Sequence, residues 1–405
     1  MGKKRPMGGS IFLASVPVFC VPVFCVYIPV NRVTLPAMVT MKDVALEAGV
    51  SITAVSFILN KNKNALRISE KTHQNVLRAV KKLGYRRNEI ARSMGSGRTR
   101  FIGFFVPTLR YEFIAAILEG VLQEAEENNY FIKVALIPEI PAGMNVIRRS
   151  MTLQLRGAIC SSFDTETLKH IFAECGVRRV PVVQVDNTLM PLGRVQVVSD
   201  DSMGMRLAVE HLAGLGHSKI GCISGQMTSP WGKCRSEGFL QAMATLQLRV
   251  PDNYLQYVDG YPEHTAGAVR KFLARNDRPT AIVCTSDLIA ANVMGVAHQL
   301  QMSVPKDLSV VGFADLSVAE NLCPLLTTVA QPFPAMGRAV MHQLIHLMEF
   351  PEDPISTEQI VERMPTRLVV RESTASPSAT TCRQSELPPP TKKVKIYVDM
   401  DGKKL

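Results

Sequence analysis

The chain has 405 residues, of which 46% are hydrophobic and 20% are charged, and its net charge at pH 7 is +11. This length predicts two or three domains, and the composition excludes a disordered or fibrous chain. The charge is uneven: residues 1–100 contain 17 Lys and Arg against 4 Asp and Glu, whereas residues 101–405 contain 29 against 31. A basic module on a nearly neutral body is typical of a protein that contacts phosphates, although a merely solvated basic face is the alternative.

Residues 1–37 begin with basic residues and continue through the apolar IFLASVPVFCVPVFCVYIPV, which superficially has the pattern of a secretion signal. Prolines within this stretch break any helix long enough to span a bilayer, so we expect no membrane segment. We interpret residues 1–37 as an over-extended translation start, with the normal start at Met38 or Met41. The nine cysteines are odd in number and scattered, which favours a reduced, cytoplasmic protein.

The segment 41–60, MKDVALEAGVSITAVSFILN, has the spacing of a helix-turn-helix that reads DNA. Thr40 and Asp43 form a capping box that begins the first helix, and Gly49 supplies the corner. Ser51 caps a second helix, whose outward face carries short polar and methyl-bearing side chains that can approach base edges. An amphipathic helical hairpin without DNA contacts is the alternative. The predicted DNA contacts in this module are Thr40, Ser51, Ile52, Thr53, Ser56, Phe57 and Asn60.

A third helix is predicted from Ser69 to about Leu83, with Val76, Leu77 and Val80 at helical spacing, so that three helices close a small core over residues 38–87. Residues 88–98 follow as a short helical segment, NEIARSM, and a glycine-containing linker. An ordinary linker is the alternative to a functional hinge there.

From Phe101 onward, short apolar strands alternate with amphipathic helices. IGFFVP, FIKVALI, GAICSSF, VPVVQV, VQVVS, KIGCISG, TAIVCTS and LSVVGFAD are predicted strands. Repeated βα units of this kind predict an α/β fold with parallel sheets that are covered on both faces. Residues 375–405 are rich in Pro, Ser and Lys, and we expect a disordered tail there.

Residues 39–373 resemble the LacI-type family of bacterial transcription regulators, which includes the lactose, galactose and purine repressors. The resemblance lies in KDVALEAGVS, RISEKTHQNVLRAVKKLGYRRN, RLAVEHLAGLGHSKIGCISG, PLLTTVAQP and PTRLVVRES. It implies a helix-turn-helix headpiece with a hinge helix, followed by a two-lobed effector domain of doubly wound parallel sheets, like a periplasmic sugar-binding protein. It also implies a homodimer that binds near-palindromic operator DNA as a repressor, under allosteric control by a small ligand such as a sugar.

The resemblance places the effector and dimerisation domain at 99–374. Lobe 1 would comprise about 99–198 and 331–360, and lobe 2 about 199–330 and 361–374. The hinge helix would contact DNA through Asn88, Ala91 and Met94, with Met94 as an apolar wedge in the minor groove.

We expect the effector to bind between the lobes, beyond the carboxyl ends of the strands. Matching the family position by position favours Asp287 and Arg235 as ligand-binding residues, although a helix N-cap is an alternative role for Asp287. Asp186, after VPVVQV, is a third candidate or a hinge residue. Aromatic candidates that could stack on a ligand ring are Tyr111, Phe113 and Trp231, for each of which a purely structural role is the alternative.

Two positions depart from the family pattern. Phe57 stands where many members carry an arginine that reads guanine, and Arg87 stands where proline is usual. Phe57 can offer only apolar contact to a thymine methyl, so the preferred operator should differ from the common one. Glu89 also places a negative charge near phosphates, which should weaken DNA binding.

An enzyme is the less favoured reading. The sequence has no paired-carboxylate or metal-ligand spacing, no glycine-rich phosphate loop after the first strand and no nucleophile elbow, so we expect no cofactor and no catalysis. His217, in GLGHSKI, is interpreted as part of a helix-to-strand turn. An exported sugar-binding protein of a transporter is the alternative that the leader and the lobes favour, and a basic headpiece counts against it.

Overall fold

The computed structural model describes residues 39–59, 68–85, 99–186, 192–227, 229–258, 262–350 and 359–378. The chain divides into two compact units, residues 1–89 and 90–405. No helix among the described residues is long and apolar enough to cross a bilayer.

The described part of the first unit forms three helices. They are α1 (Met41–Ala48), α2 (Ile52–Leu59) and α3 (Glu70–Leu83). The predicted capping box is present, since the Thr40 hydroxyl accepts from the Asp43 amide and the Asp43 carboxylate accepts from the Thr40 amide. Gly49 ends α1 with a φ of 66°, a left-handed conformation that costs glycine little.

The core of this unit differs from the prediction at one position. Val44, Val55, Ile58, Val76 and Ala79 are buried in it. Leu77 was expected among them, but 41% of its surface is exposed. The inward face of α3 carries Val76, Ala79 and Val80, at i, i+3 and i+4. Leu77 is rotated about 100° from Val76 around the helix axis and so points toward solvent.

The described residues of the second unit form two six-stranded sheets. The strands are β1 (Phe101–Val106), β2 (Phe131–Leu136), β3 (Gly157–Ser161), β4 (Val182–Val185), β5 (Val195–Ser199), β6 (Ile220–Ser224), β7 (Leu255–Tyr257), β8 (Ala281–Cys284), β9 (Ser309–Ala314), β10 (Thr327–Ala330), β11 (Ile360–Met364) and β12 (Arg367–Val369). The first sheet has the order β11-β5-β4-β3-β1-β2, and the second has the order β12-β10-β9-β8-β6-β7. All pairs are parallel except β10 with β12, which confirms the predicted α/β class.

Helices cover both faces of each sheet. They are α4 (Glu112–Glu127), α5 (Ala142–Met151), α6 (Thr165–Val177), α7 (Asp201–Gly214), α8 (Pro230–Thr245), α9 (Pro262–Leu273), α10 (Asp287–Gln299) and α11 (Phe333–Glu349). A short 3₁₀ helix, Ser317–Glu320, follows β9. Cys160, Cys222 and Cys284 are buried in the cores of the two sheets.

The chain crosses between the two sheets three times. The crossings follow β5, β10 and β11, so each lobe is discontinuous in sequence. β11 pairs with β5 in the first sheet from Ile360 to Met364. The last crossing therefore follows Met364, whereas the sequence analysis placed it near residue 360. The prediction missed this because β11 is a single strand without a following helix, and its sequence does not indicate which sheet it joins.

The carboxyl-terminal segment is packed onto the second lobe as far as residue 378. The buried His217 ring bonds the Ala375 carbonyl through Nε2 at 2.8 Å and the Thr280 hydroxyl through Nδ1 at 2.8 Å. The expected tail boundary at 375 is therefore too early, because the Ser373 carbonyl accepts from the Val310 amide and the Ala375 amide donates to the Ser309 hydroxyl, both on β9. His217 lies between α7 and β6, as predicted. The remaining tail and the leader lie outside the described residues.

Candidate functional site

The surface that could face DNA is the outward side of α2. The Ser51 hydroxyl accepts from the Ala54 amide at 3.1 Å and begins the helix. Val55 and Ile58 are buried against the other two helices. Ile52 is 47% exposed and Thr53 is also exposed, while Ser56 and Phe57 are half-buried. The predicted reading residues therefore do lie on one accessible side of the helix.

Basic side chains surround this helical unit. Lys42, Lys71, Arg78, Lys81 and Lys82 are all exposed. Lys82 also joins α3 to α1 through an ion pair with Glu47 at 2.6 Å. The Thr40 hydroxyl donates to Asp43, so its capping role occupies it. The predicted DNA contacts Asn60, Asn88, Ala91 and Met94 lie outside the described residues.

A cavity of about 550 Å³ lies between the two lobes, beside their crossings. This volume suits a small organic ligand. Its walls combine aromatic rings and prolines with a few polar groups. They are formed by Glu112, Phe113, Ala116, Ala314, Asp315, Leu316, Ala330, Gln331, Pro332, Phe333, Pro334, Pro365, Thr366 and Arg367. Of the six predicted effector residues, the wall includes Phe113.

Backbone strain marks one wall of this cavity. Ala314 has a φ of 121° and Asp315 a φ of 59°, two successive left-handed residues without glycine. Such residues cost about 1–3 kcal/mol each and persist where surrounding contacts fix them. Here Arg371 pairs with Asp315 at 2.8 Å and with Glu320 at 2.9 Å. Strain of this kind is concentrated at functional sites.

A closed ring of hydrogen bonds lies at the crossings next to this cavity. Arg235 donates from Nε to Asp201 at 3.0 Å and from Nη2 to the Gln331 side-chain oxygen at 3.0 Å. Gln331 in turn donates to the Ser199 hydroxyl at 2.6 Å, and Ser199 donates to Asp201 at 2.7 Å. All four residues are buried, so the ring satisfies a buried charge pair that would otherwise be costly.

The ring links the lobes because its members come from different crossings. Ser199 ends β5 in the first lobe, Asp201 begins α7 in the second, and Gln331 follows β10. Arg235 also lies 3.9 Å from the centroid of the Phe313 ring and donates to the Thr285 carbonyl at 2.8 Å. The guanidinium is thus fixed by three hydrogen-bond acceptors and one aromatic ring. Gln331 belongs both to the hydrogen-bonded ring and to the cavity wall.

Asp186 lies at the end of β4, near this ring, and is half-buried. Desolvation raises the pKa of Asp186 to about 7, against the opposing effect of Arg235. The nearby Asp201 carboxylate also raises this pKa, and a hydrogen bond from Ser162 lowers it. The carboxyl of Asp186 can therefore change its charge near neutral pH, and it is placed at the hinge instead of on the cavity wall.

Asp287 has no exposed surface. One carboxylate oxygen accepts from the Thr328 hydroxyl at 2.5 Å and the other from the Leu316 amide at 2.7 Å. Burial raises the pKa of Asp287, and these two bonds oppose that rise. The N-cap of α10 is Ser286, so the alternative N-cap role for Asp287 was wrong. In this conformation the carboxylate fixes the loop after β9 and does not reach the cavity.

The three aromatic candidates are distributed over two places. Tyr111 is 51% exposed and stacks on Phe113 with ring centroids 5.7 Å apart, and Phe113 contacts Phe333 at 5.6 Å. Ser229 caps α8, which begins at Pro230, five residues before Arg235. Trp231 therefore lies in that first turn, 5.7 Å from the Arg235 guanidinium.

A contact between the lobes closes one side of the cavity. The Glu112 carboxylate, at the start of α4, accepts from the Ser317 amide at 3.0 Å and from the Ser317 hydroxyl at 2.7 Å. Sequence analysis did not select Glu112, Ser199, Asp201 or Gln331. Asp201 and Gln331 both follow the carboxyl ends of strands, a position that could have identified them.

Comparison with known proteins agrees with both units. Residues 40–88 match the model of bacterial regulatory proteins of the lacI family, and residues 209–374 match the periplasmic binding protein-like domain. The HTH-type transcriptional repressor PurR of Photobacterium profundum is 32% identical over 344 residues, which cover 83% of this chain and 98% of that protein. PurR of Klebsiella pneumoniae is 30% identical, over 76% of this chain and 90% of that protein.

Solved structures show the same architecture. A lac repressor dimer bound to operator and the anti-inducer ONPF has a TM-score of 0.72 at 24% identity, covering 83% of this chain and 99% of that one. A complex of the transcriptional regulator CelR with cellobiose has a TM-score of 0.61 at 26% identity over the same shares. An exported sugar-binding protein would not explain the match at residues 40–88. The chain therefore belongs to the LacI family of bacterial regulatory proteins and is a DNA-binding transcriptional regulator.

Proposed function

We propose that this protein is a homodimeric repressor that binds a near-palindromic operator and is controlled by a small ligand, most simply a sugar or sugar derivative, in the cavity between its lobes. The observation that carries the proposal is this cavity, which has strained backbone on its wall and is bounded on one side by the Glu112–Ser317 contact. Two symmetry-related α2 helices would then meet half-sites about one helical turn, or a multiple of it, apart.

Control of DNA affinity would follow from lobe closure. A ligand that prefers one arrangement of the lobes shifts the population toward it, and the two hinge segments then approach or separate. A coupling of about 1–3 kcal/mol changes operator affinity by about 5-fold to 150-fold. In this proposal Asn88, Ala91 and Met94 contact DNA at the hinge, with Met94 as the minor-groove wedge.

The six effector candidates take different roles in this proposal. Phe113 and Tyr111 provide an aromatic face for the ligand, and Phe113 lies on the cavity wall. Arg235, Trp231 and Asp186 act at the hinge ring and reach the ligand when the lobes move. Asp287 positions the loop that carries Asp315 and Leu316.

We also infer that the protein works in the cytoplasm and has no catalytic activity. Operator binding requires access to the chromosome, and the curated relatives above are repressors. A sugar complex is known for the CelR relative, and a family regulator from Enterococcus faecium was solved with ribose.

The experiment has two stages. Selection from randomised duplexes with the full chain should first yield a near-palindromic site. A thermal-shift screen of sugars, sugar phosphates and nucleobases should then find a ligand that raises the melting temperature, since it binds only the folded state. That ligand should change operator affinity at least 5-fold, as measured by fluorescence anisotropy. Failure to select any site, with or without the ligands, contradicts the proposal.

A further inference from the structure

The outward face of α2 is unusually apolar for a surface that meets DNA. Ile52 is 47% exposed in its first turn, and Phe57 is half-buried in its second. Thr53 and Ser56 lie between them on the same side, since α2 buries Val55 and Ile58 on the other. Ile52 therefore leaves about half of its apolar surface open to solvent on this side of the helix.

The side chains of α2 exclude the common modes of base recognition. Bidentate hydrogen bonds to guanine need Arg or Lys, those to adenine need Asn or Gln, and cytosine is read by Asp or Glu. Within the described bounds of α2, ITAVSFIL, none of these residues occurs, and Asn60, a predicted DNA contact, follows the helix. Its hydroxyls, on Thr53 and Ser56, can bond more than one base and therefore discriminate poorly.

One apolar group is presented by the bases in the major groove. It is the C5 methyl of thymine, which apolar side chains and threonine methyls contact. Residues four apart on a helix have Cβ atoms about 5–6 Å apart, which is between one and two base steps of about 3.4 Å. Thr53 and Phe57 are related in this way, and Ile52 precedes Thr53 by one residue and Phe57 by five. Two or three neighbouring bases are within reach of this face.

We propose that α2 reads its operator half-site mainly through thymine methyl groups, which contact Ile52, Phe57 and the methyl of Thr53. The half-site should therefore contain thymines at two or three neighbouring positions, and guanine should not be required there. This inference rests on the proposed function and adds the chemical identity of the DNA that the helix recognises.

The test replaces single thymines by deoxyuridine in the site selected from randomised duplexes. This substitution removes one methyl and leaves both hydrogen-bonding edges unchanged. Burial of one methyl is equivalent to about 4-fold in affinity. We expect each critical replacement to weaken binding of the full chain by about 4-fold at fixed salt, measured by fluorescence anisotropy. Replacement of thymines in the flanks of the same duplex is the matched control and should change nothing.

Protein variants identify which side chain contacts a given thymine methyl. Ile52→Ala should weaken binding to the thymine site and remove the effect of one deoxyuridine, because the contact is then already lost. Leu46→Ala is the control, since Leu46 is 84% exposed on α1 and lies outside α2. It should leave the deoxyuridine effect unchanged. Replacing the critical T·A pair by C·G should weaken binding. Methylating that cytosine at C5 should then recover part of the lost affinity.

The outcomes separate the two proposals. If no site is selected, the proposed function fails. If a site is selected but every deoxyuridine is neutral, or guanine is required at the positions that α2 reads, methyl recognition is overturned and operator binding stands. Loss of the methyl effect with Leu46→Ala as strongly as with Ile52→Ala would also overturn it.

Discussion

Arg235 shows how a buried charge is stabilised at the hinge. Its side chain is 6% exposed, and its donors meet Asp201, Gln331 and the Thr285 carbonyl. Breaking a buried pair by removing one partner is costly, because the other charge stays buried without compensation. The ring therefore favours one arrangement of the crossings, and a ligand that competes for Arg235 or Gln331 would release it.

Asp186 makes the stability of the protein depend on pH. Its pKa is raised to about 7 by desolvation, while the unfolded value is near 3.8. Because the folded state retains the proton longer than the unfolded state, stability is lost as pH rises from about 4 to about 7. Asp186→Asn removes this loss, and asparagine tolerates the positive φ of 56° at this position.

We therefore expect Asp186→Asn to stabilise the protein more at pH 8 than at pH 5, by a difference of roughly 2 kcal/mol in unfolding free energy. Urea titrations at the two pH values measure this. Asp164→Asn is a control of opposite sign: burial alone would raise the pKa of Asp164, but hydrogen bonds from Thr167 hold it below its usual value. A gain from Asp186→Asn that is equal at both pH values would contradict the assignment.

At the scale of elements, α4 and α11 cross at glycines. A Cβ on Gly120 would overlap the Pro334 carbonyl, and one on Gly337 would overlap the Ile117 carbonyl. The two helices therefore approach with backbone against backbone, which keeps Phe333, at the start of α11, beside Phe113, near the start of α4. The aromatic part of the cavity wall depends on this crossing.

Gly337→Ala should force the helices apart and lower the unfolding free energy by about 1–3 kcal/mol. Gly267→Ala is the matched control, because Gly267 lies in α9 with open space around its Cβ position. Alanine there should stabilise the helix by up to about 1 kcal/mol. Thermal and urea denaturation of both variants measure the effect, and equal stability of the two would disprove the close crossing.

At the scale of the whole molecule, positive charge is concentrated in residues 1–100, and the remainder has 29 basic and 31 acidic residues. The first part provides salt-dependent attraction to DNA, and the second provides the ligand response. Within the second unit, the hinge ring and the Glu112–Ser317 contact both bridge the lobes. A movement of the lobes would have to break or rearrange these polar contacts.

Glu112→Gln should shift the lobes toward opening, because an amide offers one acceptor oxygen where the carboxylate offers two. We expect the affinity for the ligand found in the thermal-shift screen to fall about 3-fold to 10-fold, the equivalent of about one hydrogen bond. Isothermal titration calorimetry measures this change. Glu119→Gln, at an exposed position on the same helix, is the control and should bind normally. Equal affinity of both variants would rule out a role for Glu112 in closure.

The sequence by itself determined the local features of this protein. The capping box at Thr40 and Asp43, the cap at Ser51 and the helix that follows Ser69 were predicted and confirmed, because the capping interactions join residues three apart. The strand pattern was equally readable, since short apolar runs between helices identify parallel sheets. Family membership followed from the same segments.

Tertiary structure decided which residues meet. Ser199, Asp201, Arg235 and Gln331 are separated by up to 132 positions, and only the crossings of the chain bring them into one ring. Leu77 turned outward and Asp287 inward because burial depends on which neighbour a face meets, and neither neighbour is near in sequence. Local periodicity specifies a face, whereas the packing of distant segments decides what that face contacts.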